Sequence, residues 1–283
     1  MANVICVANH KGGTGKTTTV VNIASYFARQ GKRSLIVDME PQANATLSVG
    51  LGPRSFDKTI YQVLLNECSF KEAIKKEIVG NLDIVPANVS LANTDINLAN
   101  QPNNQFRLKE NMQSIVSDYH YIFIDCPPSL NLLVINSFAA ANNVLIPTQA
   151  DYLSLEGLAQ MVRSIKLAKQ YLNPDLQILG ILFCIVDLNQ KIERESIELV
   201  RKNFVDEAFS TIIKTCVKLK EATSYGLSIF DYAPLSSGAF NYSEAARELE
   251  GRCQKLIVNK AREGMTPQGW PDITSAKNES NKL

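Results

Sequence analysis

Short apolar segments alternate with amphipathic helical segments along most of this 283-residue chain. The apolar segments predict buried strands, because a parallel strand covered on both faces carries few polar residues. These predicted strands comprise residues 4–8, 33–37, 82–86, 121–124, 144–147 and 178–186. Predicted helices comprise residues 20–30, 59–65, 70–76, 106–117 and 192–203. Strands separated by helices predict an α/β fold with a single doubly wound, mostly parallel sheet flanked by helices.

Composition is consistent with one large core, since 45% of the residues are apolar. We expect a single domain over residues 1–263. Residues 264–283 are polar and show no helical period, which predicts a loose tail. The net charge of +1 gives no sign of a polyanionic partner, so a nucleic-acid surface would have to be a local patch.

Cysteine usage and hydropathy indicate a cytoplasmic protein. The six cysteines form no C-x-x-C pair and most lie among apolar residues, as expected of reduced thiols in a cytosolic core. No apolar stretch approaches the roughly 18 residues that a membrane span needs. The first predicted strand starts almost at once, so we expect neither a signal peptide nor a membrane partner.

A glycine-rich loop, NHKGGTGKTT, covers Asn9 to Thr18 between the first predicted strand and the first predicted helix. Such a loop turns successive N–H groups toward phosphate oxygens, and the helix N-terminus adds partial positive charge. In this pattern Lys16 reaches the β- and γ-phosphates and the Thr17 hydroxyl binds Mg²⁺. The predicted nucleotide-binding residues are Lys11, Gly12, Gly13, Thr14, Gly15, Lys16, Thr17 and Thr18. A chance glycine-rich turn is the alternative, and the flanking strand and helix argue against it.

Two further predicted strands end in an acidic residue. Asp38 follows residues 33–37 in the run DMEPQAN, and Asp125 follows residues 121–124 in the run DCPPSL. Carboxylates at the C-terminal edge of a parallel sheet face the crevice in which ligands bind. We therefore expect Asp125 to bind magnesium through water while Thr17 binds it directly.

The loop carries a second lysine, Lys11, at its head, and His10 stands where the usual pattern has glycine. In this it resembles the deviant Walker A loop of the ParA/MinD family of P-loop ATPases. Three more motifs, D-x-E-PQANAT, IDCPPSL and EATSYG, extend the likeness from Val4 to about Leu256. The chain is identified as a ParA-type partition ATPase of the short form, because no helix-turn-helix extension precedes the first strand.

The resemblance implies a slow ATPase that uses ATP and Mg²⁺ and forms an ATP-dependent homodimer. The dimer would bind non-specific double-stranded DNA of the nucleoid, and a ParB-like or other adaptor on the cargo would trigger hydrolysis. The implied catalytic residues are Lys11, Lys16, Asp38 and Glu40. In the family the leading lysine crosses to the partner's ATP, the first acid holds the magnesium shell, and the second orients the attacking water. Glu40 replaces an aspartate, so we expect slow hydrolysis.

Two basic groups are candidates for the DNA surface. The segment from Lys214 to Lys220, KTCVKLK, lies where the family has arginines at the positions of Thr215 and Lys218. A second group, Arg252, Lys255, Lys260 and Arg262, lies on a further predicted helix whose apolar side is Ala245, Leu249, Leu256 and Ile257. The predicted DNA-binding residues are Lys214, Lys218, Lys220, Arg252, Lys255 and Lys260. The alternative for both groups is an ordinary solvated face.

Three other functions fit the sequence less well. A MinD-like positioning ATPase needs a C-terminal amphipathic helix, which the tail from Gly264 lacks. An iron–sulfur electron carrier needs cysteines paired between two protomers, and Cys126 is the one tempting candidate. A P-loop metabolic enzyme needs a small substrate that nothing in the sequence names. The cargo is equally open between a plasmid, a chromosome origin, a carboxysome and a chemoreceptor cluster.

Overall fold

The computed structural model describes residues 2–262, and side chains as far as residue 256. Eight strands form one sheet in the order β3-β4-β2-β5-β1-β6-β7-β8. They are β1 (Asn3–Val7), β2 (Ser34–Asp38), β3 (Lys75–Val79), β4 (Leu82–Val85), β5 (Tyr121–Asp125), β6 (Asn143–Thr148), β7 (Gln177–Val186) and β8 (Ala208–Lys214). All neighbouring strands are parallel except β3 and β4. The predicted doubly wound, mostly parallel sheet is confirmed.

The α-helices of the described part cover both faces of this sheet. They are α1 (Lys16–Arg29), α2 (Asn44–Ser48), α3 (Ile60–Leu64), α4 (Phe70–Ala73), α5 (Thr94–Leu98), α6 (Arg107–Met112), α7 (Leu132–Ala140), α8 (Tyr152–Tyr171), α9 (Lys191–Asn203), α10 (Val217–Ser224), α11 (Ile229–Tyr232) and α12 (Ser237–Arg262). None of the helices in residues 2–262 combines the length and the apolar character needed to cross a membrane.

The strands divide their side chains between two cores because successive residues of a strand point to opposite faces. Ile5 and Val7 of β1 belong to a core that includes Phe27 of α1 and Leu249 of α12. Val4 and Cys6 belong to the core on the other face, with α7 and α8. A sheet buried on both sides explains why the three residues before Asp38 in β2, and the three before Asp125 in β5, are all apolar.

The prediction of a helix over residues 70–76 is wrong in its second half. Helix α4 ends at Ala73, and Lys75–Val79 forms the edge strand β3, antiparallel to β4. The two-residue turn Gly80-Asn81, with Gly80 at φ 56°, joins them as a hairpin. The charged residues of β3 are tolerated because an edge strand is exposed to solvent.

Strand β8 was not predicted, and the predicted helix over residues 106–117 is shorter than expected. β8 extends the sheet beyond β7, with which it pairs in parallel. Helix α6 begins at Arg107 and ends at Met112, and a 3₁₀ turn follows at residues 116–118. The predicted tail, residues 264–283, lies outside the described residues.

The fold gathers the three central strand ends at one edge. β5 lies between β1 and β2, and Asp38 pairs in register with Asp125 across the β2–β5 ladder. The glycine-rich loop connects the end of β1 to α1 at the same edge. The motifs from distant parts of the sequence therefore meet at the carboxyl ends of adjacent strands, where ligands of such sheets bind.

Candidate functional site

The glycine-rich loop depends on two glycines with left-handed backbone. Gly13 has φ 74° and Gly15 has φ 88°, a region that other L-residues rarely adopt. A Cβ atom on Gly15 would also lie 3.4 Å from Cβ of Cys184. Gly15 directly precedes α1 and caps it with no side chain, so the amide groups of the first turn remain for an anion.

Thr17 and Asp125, the two residues predicted to bind magnesium together, are in contact. The Thr17 hydroxyl Oγ1 donates to Asp125 Oδ2 at 2.7 Å. The other carboxylate oxygen, Asp125 Oδ1, is buried without a hydrogen-bond partner, as is Oγ1 of Thr14 in the loop. Buried polar atoms without partners are rare and costly. The donors here are one hydroxyl and one carboxylate, the set with which Mg²⁺ binds beside phosphate. These residues therefore fit a nucleotide-bound magnesium ion.

The carboxyl groups at the strand ends have raised pKa values. Burial, and then the charge of Asp38, raises the pKa of Asp125 from 3.8 to about 8. Burial likewise raises the pKa of Asp38 to about 6, although hydrogen bonds from Thr46 oppose the rise. Burial also lowers the pKa of Lys16. Two adjacent buried carboxyl groups favour a bound cation, and a cation bound here would lower both pKa values again.

The remaining predicted catalytic groups border the same edge. Lys16 is buried, and its Nζ donates to the carbonyl of Lys11 at 3.2 Å, which directs the ammonium into the curl of the loop. Glu40 follows Asp38 by two residues and is half-buried. Its Oε1 accepts from the amide of Gln42 at 3.3 Å. The charge of Glu40 acts on Asp38, Asp125 and Lys16, so Glu40 belongs to the same edge of the sheet.

The Lys11 ammonium group contacts three side chains of its own chain. Its Nζ lies 2.9 Å from Asp151 Oδ2, 3.0 Å from Ser154 Oγ and 3.3 Å from Gln149 Oε1. Gln149 also donates from Nε2 to the carbonyl of Gly13 at 3.2 Å, which joins the end of β6 to the loop. Sequence reasoning did not identify these partners. The signal was the polar run directly after an apolar strand, at the edge where ligands bind.

The lysines of the predicted DNA surface are exposed where their side chains are described. Lys214, Lys218 and Lys220 lie around the start of α10, and Lys218 pairs with Glu221 at 2.8 Å. Lys255 is exposed on α12. The side chain of Lys260 lies outside the described part of the same helix.

Arg252 differs from these lysines because its charge is used inside the fold. Its guanidinium donates to Glu248 Oε1 at 2.9 Å and to the carbonyl of Ala208 at 2.6 Å. It also lies 4.3 Å from the centre of the Phe209 ring. Further bonds go to the carbonyls of Leu179, Asp206 and Glu207. These contacts join α12 to the outer strands, so we leave Arg252 out of the DNA surface proposed below.

A cavity of about 340 Å³ opens beside the glycine-rich loop. Its lining is mostly apolar and includes Gly15, Thr18, Cys184, Ile185, Cys216 and Tyr242. Ile185 has φ 61°, which is unusual for a β-branched residue, and lies at an irregularity in the β7–β8 ladder. Gly15 and Thr18 were predicted to bind nucleotide, whereas Lys214 and Lys220, which also line the cavity, were predicted only for DNA. The sequence did not predict the cavity itself, because β8 and the start of α10 complete it.

Comparisons with known proteins give one consistent family. A family model described as an AAA domain matches residues 2–178. Sporulation initiation inhibitor protein Soj of Bacillus subtilis is 40% identical over 249 residues, covering 88% of this chain and 98% of that protein. Chromosome partitioning protein ParA of Myxococcus xanthus is 41% identical over 252 residues, covering 89% of each.

A solved structure supports the same fold. Cobyrinic acid a,c-diamide synthase from Mycobacterium smegmatis, with bound ADP and magnesium, superposes with a TM-score of 0.77 at 29% identity. The match covers 95% of this chain and 100% of that one. Together with the sequence relatives, these findings confirm the predicted resemblance: the chain belongs to the ParA/Soj family of partitioning ATPases and is itself an ATPase.

Proposed function

We propose that ATP and Mg²⁺, held between two copies of this chain, switch it into a dimer that binds duplex DNA without sequence preference. A ParB-like adaptor on the cargo then stimulates hydrolysis and release. The proposal rests mainly on Lys11. A lysine that serves only its own nucleotide would point into the loop, as Lys16 does. Lys11 instead lies at the rim with its side chain 32% exposed, where a second copy of the chain has access to it.

Within each copy, the roles of the site residues follow from their contacts. Lys16 and the loop amides bind and neutralise the phosphates. Thr17, Asp125 and Asp38 would hold the magnesium ion. The ion would supply positive charge that offsets the negative charge of the transferring phosphoryl group. Glu40, at the rim of the site, orients the attacking water.

The cavity beside Gly15 is the place for the base and ribose of ATP. It adjoins the phosphate loop, and its volume of about 340 Å³ lies in the range of small-ligand pockets. Its apolar walls suit a flat aromatic ring, with Ile185 and Tyr242 among the residues that line it.

DNA binding falls to five lysines around the start of α10 and on α12, namely Lys214, Lys218, Lys220, Lys255 and Lys260. Pairing two chains doubles this basic surface. A nucleotide that favours the dimer therefore also favours the binding of DNA. Affinity carried by phosphate contacts should fall steeply with salt. The name of the Myxococcus xanthus relative, chromosome partitioning protein ParA, favours a chromosomal cargo over a plasmid or a protein organelle, and the protein would then be found on the nucleoid.

Two alanine variants test the sandwich. Lys16→Ala should abolish nucleotide binding and, with it, DNA binding. Lys11→Ala should keep nucleotide affinity of the single chain within about twofold, because Lys11 reaches only the partner's phosphates. The same variant should lose the ATP-dependent dimer in sedimentation experiments. Equal loss of ATP affinity in both variants would contradict a role for Lys11 across the dimer.

An enzyme that acts on a small substrate is the second candidate, because the diamide synthase structure covers 95% of this chain at 29% identity. The two functions differ in what accelerates ATP hydrolysis. Stimulation by duplex DNA together with an adaptor protein supports partitioning. Stimulation by a small carboxylic acid with an amine donor, and none by DNA, supports the synthase-like function.

A further inference from the structure

Asp38 is held by Thr46, the last residue of the motif D-x-E-PQANAT, to which the motif itself assigns no role. The carboxyl group is fully buried, and its Oδ2 accepts two hydrogen bonds from Thr46. The Thr46 amide donates at 2.8 Å and the Thr46 hydroxyl at 2.7 Å. The other oxygen, Oδ1, accepts from the amide of Glu40 at 3.1 Å. Thr46 therefore supplies two of the three hydrogen bonds that orient this carboxylate.

The two partners of the Thr46 hydroxyl fix the direction of its proton. It accepts a hydrogen bond from the amide of Ala87, with 3.1 Å between the nitrogen and Oγ1. A hydroxyl has a single proton, and an amide N–H can only donate. The proton of Oγ1 must therefore lie on the Asp38 side. Because Thr46 and Ala87 are both fully buried, no solvent competes for these bonds.

We propose that Thr46 is a positioning residue for ATP hydrolysis, which fixes the Asp38 carboxylate through its hydroxyl and ties it to the end of β4. The inference rests on the role proposed above for Asp38. The end of β2, the short helix α2 and the residues after β4 meet at this one hydroxyl. Loss of the hydroxyl leaves the Ala87 amide without an acceptor and lets the carboxylate turn. Phosphoryl transfer depends on position, and an error near 1 Å costs on the order of a hundredfold in rate.

The same helix offers a matched control. Ser48 also lies in α2 and is also buried, but its hydroxyl donates to the carbonyl of Asn44, one turn earlier in the same helix, at 2.7 Å. Ser48→Ala removes a buried hydroxyl from α2 without touching Asp38 or Ala87. If the Thr46 hydroxyl only stabilised α2, its removal and the removal of the Ser48 hydroxyl should have similar effects on kcat.

The experiment compares steady-state ATPase kinetics of the full chain in Thr46→Val, Thr46→Ser, Ser48→Ala and Asp38→Asn. Thr46→Val, which keeps the shape, should lower kcat about tenfold to a hundredfold while KM for ATP changes less than about threefold. The concentration of magnesium at half-maximal rate should rise. Thr46→Ser, which restores the hydroxyl, should recover most of the rate, and Ser48→Ala should match the unmodified chain.

Three results would overturn the inference. If kcat of Thr46→Val equals that of Ser48→Ala, ATP hydrolysis does not need the Thr46 hydroxyl. If Thr46→Ser is tenfold or more slower than the unmodified chain, the effect belongs to packing and not to the hydroxyl, and this result can be read even if Thr46→Val does not fold. Full activity of Asp38→Asn removes the proposed role of Asp38 itself. A slow Asp38→Asn beside a normal Thr46→Val rejects the role of Thr46 and leaves that of Asp38 intact.

Discussion

Replacing Asp151 by asparagine removes the charge that holds Lys11 and should strengthen the ATP-dependent dimer. Both oxygens of Asp151 contact the Lys11 ammonium, at 2.9 and 3.2 Å. Lys11 must leave them before it can reach a partner's phosphates. Asparagine keeps the shape of the side chain and an oxygen that accepts from the amide of Ser154, so the N-cap of α8 should survive.

The exposure of the two side chains sets the size of the effect. They are 32% and 41% exposed, so solvent screens the pair and it contributes about 0.5–1 kcal/mol. A symmetric dimer releases two such lysines, which gives about 1–2 kcal/mol in all. At about 1.4 kcal/mol for each factor of ten, Asp151→Asn should lower the dimer dissociation constant about five- to twenty-five-fold.

Sedimentation equilibrium with magnesium and a non-hydrolysable ATP analogue measures this constant. Nucleotide affinity at low protein concentration, where the chain is single, should stay unchanged. The melting temperature should stay within about 2 °C because the helix cap is kept. A dimer that is weaker than, or equal to, that of the unmodified chain would refute the idea that Asp151 holds Lys11 back.

Three further predictions follow from the site and its surroundings. Glu40→Asp should raise kcat for ATP hydrolysis, by up to about a hundredfold, because it restores the side-chain length at the water-orienting position, and an unchanged rate argues against that role. The pKa values of about 6 for Asp38 and about 8 for Asp125 exceed their unfolded values of 3.8. Between pH 6 and pH 8 the folded chain without nucleotide therefore holds about one proton more than the unfolded chain. As the pH rises through this range, the free energy of unfolding should fall by about 1.4 kcal/mol per pH unit. Denaturant titrations of Asp125→Asn should not show this slope. Arg252→Ala should cost about 3 kcal/mol and lower the melting temperature by roughly 6–12 °C, because it removes bonds that join α12 to the outer strands. Its DNA affinity should stay unchanged below the melting transition, and a selective loss of DNA binding would contradict this.

The geometry of the glycine-rich loop was predictable because its signal lies within ten consecutive residues. Gly13, Gly15, Lys16 and Thr17 need only a strand before them and a helix after them. The partnership of Thr17 with Asp125 was predictable for a different reason, since parallel strands bring their carboxyl ends to one edge.

The surroundings of the charged side chains were not predictable in this way. The partners of Arg252 include backbone carbonyls up to 73 residues away, and those of Lys11 lie up to 143 residues away. Periodicity gives the face on which a side chain lies and says nothing about distant backbone groups. Strand β3 was missed for a local reason, because its charged residues continue the helical pattern of the residues before it. Charged residues are tolerated in this strand because it lies at an exposed edge of the sheet.

In the proposed function, nucleotide controls both the dimerisation of the chain and its binding to DNA. Sedimentation velocity of the purified chain with a duplex of random sequence measures both at once, with magnesium present and with ATP, ADP or no nucleotide. The account predicts complexes that contain two chains, or multiples of two, with ATP, and free DNA under the other conditions. Single chains bound to DNA equally well in all three conditions would contradict it.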